Sequence, residues 1–175
     1  CARYAPAGDR IVYQDRKGYE DPLRKHHTSS VTRDIWIFDP ATKSYRQLTT
    51  FAGEDRDPVW SRDGSTVYYL SEESGSYNVH RIPASGGASS AVTRLTDHPV
   101  RHLSISDAGV MCFSFRGELY TLTDGGEPRK VPVSLHTDGR YDPERIVSVN
   151  GADEYEVSPN GKEVVFVHRG EVFVS

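Results

Sequence analysis

The amino-acid sequence predicts an all-β chain built from repeated four-stranded antiparallel units, and three observations carry that reading. One motif recurs: an apolar run, a short turn ending in glycine, and a second apolar run, as in Val59-Trp60-Ser61-Arg62-Asp63-Gly64-Ser65-Thr66-Val67-Tyr68-Tyr69-Leu70. The turn glycines 8, 64, 109 and 161 lie 56, 45 and 52 residues apart, close to the roughly 40 to 50 residues of a four-stranded propeller blade. In the second run Val67 and Tyr69 face one way and Tyr68 and Leu70 the other, so the strand is apolar on both faces and asks for a sheet covered on both sides. No segment of useful length has the helix period. The predicted architecture is a partial β-propeller of four-stranded antiparallel blades, three blades plus an incomplete fourth, an arc of a larger six- or seven-bladed ring.

The elements follow in order. Ser61-Arg62-Asp63-Gly64 reads as a type I turn with Gly64 at the left-handed position, where glycine has no Cβ penalty. Tyr4-Ala5-Pro6-Ala7-Gly8 leads in the same way into Ile11-Val12-Tyr13, Ile105-Ser106-Asp107-Ala108-Gly109 into Val110 to Phe113, and Val157-Ser158-Pro159-Asn160-Gly161 into Val164 to Val167. Third strands are expected at Asp34 to Phe38, Tyr77 to Ile82, Gly117 to Leu122 and Gly170 to Val174; fourth, outer strands at Tyr45 to Thr49, Val92 to Thr96 and Arg129 to Val131. Arg116-Gly117-Glu118-Leu119-Tyr120 and Arg169-Gly170-Glu171-Val172-Phe173 match almost residue for residue. Blade one is thereby placed at 1–50 with an insertion at 14–33 that has neither period, blade two at 57–97, blade three at 100–133 and the incomplete blade at 154–175.

Composition narrows the function. The chain is 36% hydrophobic and 26% charged, with a formal charge of −4 and interspersed signs, which argues against a nucleic-acid surface. No run approaches the ~18 apolar residues of a membrane span, and the first residues lack a signal-peptide core. The expected compartment is the cytoplasm, or the periplasm if a signal peptide precedes the sequence. Cys112, in an apolar run, reads as a small buried hydrophobe rather than half of a disulfide with Cys1.

Patterns that carry chemistry are missing. There is no Gly-x-Ser-x-Gly elbow, no His-Glu-x-x-His, no phosphate-cradling glycine loop and no calcium loop. His26 and His27 are adjacent and point apart in an extended chain. His98 and His102 have Pro99 between them, so neither pair reads as a metal site. Glu54-Asp55-Arg56-Asp57 reads as a salt-bridged loop rather than a paired-carboxylate site. No catalytic residue, metal or cofactor is expected in this chain, because no nucleophile has a base beside it in the sequence.

The Ser-Arg-Asp-Gly and Ser-Pro-Asn-Gly turns, the strand Asp34-Ile35-Trp36 and outer strands ending Leu48-Thr49 or Leu95-Thr96 resemble the TolB-type repeat; the Gly-His and Trp-Asp signatures of WD40 repeats are absent. More narrowly, the Arg-Gly-Glu strands, Phe51-Ala52-Gly53-Glu54-Asp55-Arg56 and the insertion Lys25-His26-His27-Thr28-Ser29-Ser30 resemble the N-terminal propeller region of tricorn-like serine peptidases of the S41 type. That resemblance implies a non-catalytic propeller section that guides or filters peptides for catalytic domains lying elsewhere. The partners it implies are peptides or those catalytic domains. The alternative is a TolB-like module that binds a protein partner and has no enzymatic parent.

Strand parity places the working face. With antiparallel blades, the glycine turns lie at one end, and at the other lie the longer segments 14–33, 50–57, 71–76 and 134–153. Long loops on a rigid scaffold concentrate binding residues, so Arg24, Lys25, His26, His27, Arg33 and Arg56 are the cationic candidates for contact with a peptide or partner.

Overall fold

The computed structural model describes residues 1–15, 32–134, 148 and 150–175. Residues Cys1–Val133 form one unit and Ser134–Ser175 a second. The first unit holds three four-stranded antiparallel sheets, each in simple sequence order. Blade one comprises β1 (Ala2–Tyr4), β2 (Ile11–Gln14), β3 (Ile35–Asp39) and β4 (Ser44–Gln47). Blade two comprises β5 (Asp55–Trp60), β6 (Thr66–Ser71), β7 (Asn78–Pro83) and β8 (Ser90–Ala91), and blade three β9 (Arg101–Ile105), β10 (Met111–Phe115), β11 (Glu118–Leu122) and β12 (Arg129–Lys130). The second unit is a three-stranded antiparallel sheet of β13 (Glu154–Val157), β14 (Val164–His168) and β15 (Glu171–Val174). Among the described residues there is no helix.

The recurring turn is closed by its own side chains. The Gly64 amide bonds the Ser61 carbonyl at 3.0 Å with Gly64 at φ 67°, and Asp63 accepts from the Ser61 hydroxyl at 2.6 Å and the Ser65 amide at 3.1 Å. The Ser61 hydroxyl, with its Ser65 neighbours, holds the Asp63 carboxyl down at about 2, so the turn keeps an ionised acceptor at any ordinary pH. Asn160 repeats the pattern with the Ser158 hydroxyl at 2.6 Å and the Lys162 amide at 3.1 Å. The matched Arg-Gly pairs form two-residue hairpins in which both residues have positive φ, 54° and 76° at Arg116-Gly117 and 52° and 82° at Arg169-Gly170. That is the type I′ geometry that follows the twist of the strands.

Two cores flank blade two. Val67 and Tyr69 pack with Val12, Ile35, Ile37 and Trp60 on the side of blade one. Tyr68 and Leu70 pack with Val59, Leu103, Met111 and Phe113 on the side of blade three. The doubly apolar β6 is therefore the shared wall of both cores, which is why all four residues from Val67 to Leu70 are buried.

Three expectations are corrected. The inner strand of blade two starts at Asp55 rather than at Val59, with a bulge between Arg56 and Val59. Pro58 has no N–H for the ladder, and Asp57, at φ 54°, absorbs the extra residue. The outer strand of blade two is Ser90–Ala91 rather than Val92 to Thr96. Beyond it side chains replace the ladder: Thr93 Oγ1 accepts from the Val79 amide at 2.9 Å, and Asn78 holds Leu95 through both its amide and its carbonyl. Thr49 does the same for the Ile35 amide at 2.9 Å in blade one, so Thr93, and not Thr96, is its counterpart. Cys112, on the face of β10 opposite Met111 and Phe113, is half-buried, and neither cysteine is in a disulfide.

Candidate functional site

The inner strands β1, β5 and β9 lie side by side in the first unit, and the ends that carry their glycine turns frame a cleft of about 660 Å³. Arg3 and Tyr4 come from blade one, Trp60 and Arg62 from blade two, and Ile105 and Asp107 from blade three. Trp60 is buried, its indole N–H donates to the Arg3 carbonyl at 3.1 Å, and the Arg10 guanidinium lies 5.2 Å from its ring centroid. This ties the rims of blades one and two together. Tyr4 is 69% exposed, and the Arg3 and Arg62 side chains are exposed with it. Two guanidiniums beside a free phenol ring suit an extended chain carrying carboxylate and apolar groups.

At the opposite end of blades one and two the residues are engaged with each other. Arg33 forms an ion pair with the fully buried Glu54, and its amide donates to the same carboxylate at 3.2 Å. The Glu54 amide donates to Glu72 Oε1 at 2.8 Å. Gly53 permits this approach, since a Cβ there would fall 2.9 Å from Glu72 Oε1 and 2.2 Å from the Phe51 ring. Arg56, 7% exposed, lies 4.3 Å from the Tyr77 ring centroid. The Asp57 amide reaches across to Gln14 Oε1 at 2.8 Å. Glu54 to Asp57 thus holds blade to blade, with its ion pair made to Arg33 from the preceding blade. Of the six cationic candidates, Arg33 and Arg56 are placed in these contacts, and Arg24, Lys25, His26 and His27 lie outside the described residues.

One cluster has no sequence signature. His80, 3% exposed on β7, has Nδ1 3.3 Å from Ser89 Oγ and 3.5 Å from Glu73 Oε2, and Ser89 is 2.6 Å from the Tyr69 hydroxyl. A serine therefore stands beside a histidine here, a pairing that no sequence spacing announces. The geometry is nonetheless wrong for a nucleophile and base. Serine and carboxylate share one ring nitrogen, whereas a relay needs them on opposite nitrogens, and Nε2 is buried without a partner. Burial holds the His80 pKa below its ordinary value and leaves the ring neutral at pH 7. His98 packs edge-on against Phe115, and His102 occupies the β9 bulge at φ 58°, so these two histidines serve packing and backbone geometry.

No protein-family model matches the chain. It is 27% identical over 162 residues to the tricorn protease homolog of Saccharolobus solfataricus, across 90% of this chain. In its repeats the chain is tricorn-like. It spans 15% of the length of that relative. Solved structures share the fold: TolB of Acinetobacter baumannii has a TM-score of 0.55 and 16% identity over 98% of this chain and 39% of its own. A TolB-type protein of Agrobacterium tumefaciens has a TM-score of 0.58 and 20% identity over 73% of this chain and 46% of its own. The tricorn-like chain is in fold a TolB-like propeller module. The inner-strand cleft escaped sequence reading because it joins residues 3, 60, 62 and 107, which only the convergence of three blades brings together.

Proposed function

We propose that this tricorn-like propeller module is a non-catalytic guide for peptides in proteolysis, and that the inner-strand cleft is where they pass. The observation that carries the reading is the pairing of exposed Arg3 and Arg62 with exposed Tyr4 on the buried Trp60 platform. Charged side chains on a rigid rim capture a peptide carboxylate without holding it tightly, which suits passage better than storage. This reading puts the working surface at the turn end; at the loop end Arg33 and Arg56 are engaged in contacts within and between the blades.

The test is binding of fluorescent pentapeptides to the 175-residue chain, comparing free C-terminal carboxylates with C-terminal amides. The free acids are expected to bind more tightly by about fivefold, and R3E/R62E to abolish the difference, as removal of charge-assisted contacts requires. No preference for the free acid, or a preference that survives R3E/R62E, overturns the reading.

A further inference from the structure

A second cavity, of about 210 Å³, lies between blades one and two and is lined by Leu48, Thr49, Phe51, Asp55, Tyr69 and Ser89 among others. Asp55 is 1% exposed, and among the described residues no cation pairs with its carboxylate. The Thr49 and Ser71 hydroxyls face it: each accepts an amide, Thr49 from Ile35 at 2.9 Å and Ser71 from Glu73 at 3.2 Å, and each keeps its own proton to donate to the Asp55 carboxylate. The charges that act on Asp55 are Asp34, on the segment before β3, and Glu73, on the turn after β6, both of its own sign. Three arginines of blades one and two are committed elsewhere: Arg33 to Glu54, Arg56 to Tyr77, and Arg46 to the Ala84 and Ser85 carbonyls. A buried carboxylate met by two hydroxyls alone still lacks a charge partner, and its ionised form is costly until a cation reaches it.

We propose that this cavity binds a primary ammonium group on a short aliphatic stem, with Asp55 as its counter-ion. An ammonium brings three donors and no acceptor, matching the Asp55 carboxylate and the Tyr69 and Ser89 hydroxyl oxygens. Leu48, Phe51 and Ile82 supply apolar wall for the stem. A metal ion is the poorer match, because among the described residues no group of three His, Cys, Asp or Glu side chains is placed to hold one. The site shares no lining residue with the inner-strand cleft, so it stands or falls independently of the peptide-guiding reading.

Binding is coupled to protons. Burial, ahead of the Asp34 and Glu73 charges, pushes the Asp55 pKa up to about 7. Two further groups beside the cavity have shifted pKa values, Tyr69 on β6, raised by burial, and His80 on β7, lowered by burial. Neither changes charge between pH 7 and 8. An ammonium displaces the Asp55 proton, so affinity rises as pH climbs through 7.

The experiment is calorimetric titration of the 175-residue chain with n-butylammonium chloride, with n-butanol as the uncharged control and Nα-acetyl-lysine amide to distinguish a free amine from a lysine side chain. Millimolar binding of butylammonium at pH 8 is expected, at least about tenfold weaker at pH 5 and in Asp55→Asn. Binding of the lysine derivative as well identifies peptide lysines as a source. Absence of its binding restricts the site to free amines. Ser89→Ala, at an exposed position, is expected to weaken binding about threefold, and decides the matter together with the pH series if Asp55→Asn does not fold. No binding by the wild type, binding equal to that of n-butanol, or affinity unchanged by pH and by these substitutions overturns the proposal.

Discussion

Blade two and the sheet β13–β15 are written in the same residues and end in different surroundings. Both open with a Ser-x-Asp/Asn-Gly turn closed by the same side-chain bonds, and both follow it with a doubly apolar strand. In β6 Val67 and Leu70 are 0% exposed, Tyr69 1% and Tyr68 6%, whereas Val165 on β14 is 38% exposed and Tyr155, Val172 and Val174 about 70%. The hairpin is therefore a local property of the sequence, and burial is a property of the neighbours on either side. A blade with cores on both faces, as β6 has, draws its stability from packing. Among the described residues, the contacts within β13–β15 are its ladder and cross-strand pairs, such as the stacked Phe166 and Phe173 rings at 5.3 Å.

The largest expected effect separates the two sheets directly. Leu70→Ala should lower the unfolding free energy by about 2–5 kcal/mol, the range for a fully buried leucine, and Val172→Ala by less than about 0.5 kcal/mol. Urea denaturation checks both, and comparable losses would break the comparison.

The next effect concerns charge buried in blade two. The Asp55 pKa is raised from 3.8 to about 7 by burial, so between those values the folded chain binds a proton that the unfolded chain has released. Stability from this group is full below about pH 4 and is lost as pH rises through 7, by on the order of 2–4 kcal/mol. His80 acts in the opposite sense: burial lowers its pKa from 6.5, so its contribution is present above 6.5 and lost as pH falls through the lowered value. The Asp55 share is the difference between wild type and Asp55→Asn. Wild type should weaken relative to the variant from pH 4 to pH 8 in thermal or urea melts, and parallel curves would contradict the assignment.

The smallest effect should be equal in the two sheets. Gly64 and Gly161 sit at φ 67° and 66°. A Cβ at Gly64 would meet Pro6 no closer than 3.6 Å and at Gly161 would meet nothing within 4 Å. Alanine at either position therefore carries only the left-handed backbone penalty, about 1 kcal/mol. Amide exchange in each hairpin measures it, and a markedly larger loss at Gly64 would show that the turn too depends on its neighbours.

Legibility follows the same division. The positive-φ glycines, the Arg-Gly hairpins and the two-faced burial of Val67 to Leu70 were readable because each is set by residues within a few positions of one another. The end of blade two's outer strand was misread because Asn78 and Thr93, fifteen residues apart, substitute for the ladder. The start of β5 was misread because a bulge at Asp57-Pro58 breaks the alternation. The site features were the least legible. The Arg33–Glu54 pair spans 21 positions, and the Trp60 contact to Arg3 spans 57. The Asp55 carboxylate is buried without a cation beside it, an absence that no spacing records.

Native-state hydrogen exchange of the whole chain, resolved by residue, tests the central claim that packing on both faces, and not the repeat itself, sets stability here. Amides of β6 and β7 should exchange only through the highest-energy opening of the chain, with those of β14 and β15 exchanging at least about a hundredfold faster, through a lower-energy opening of their own. Equal protection in the two sheets would contradict the account.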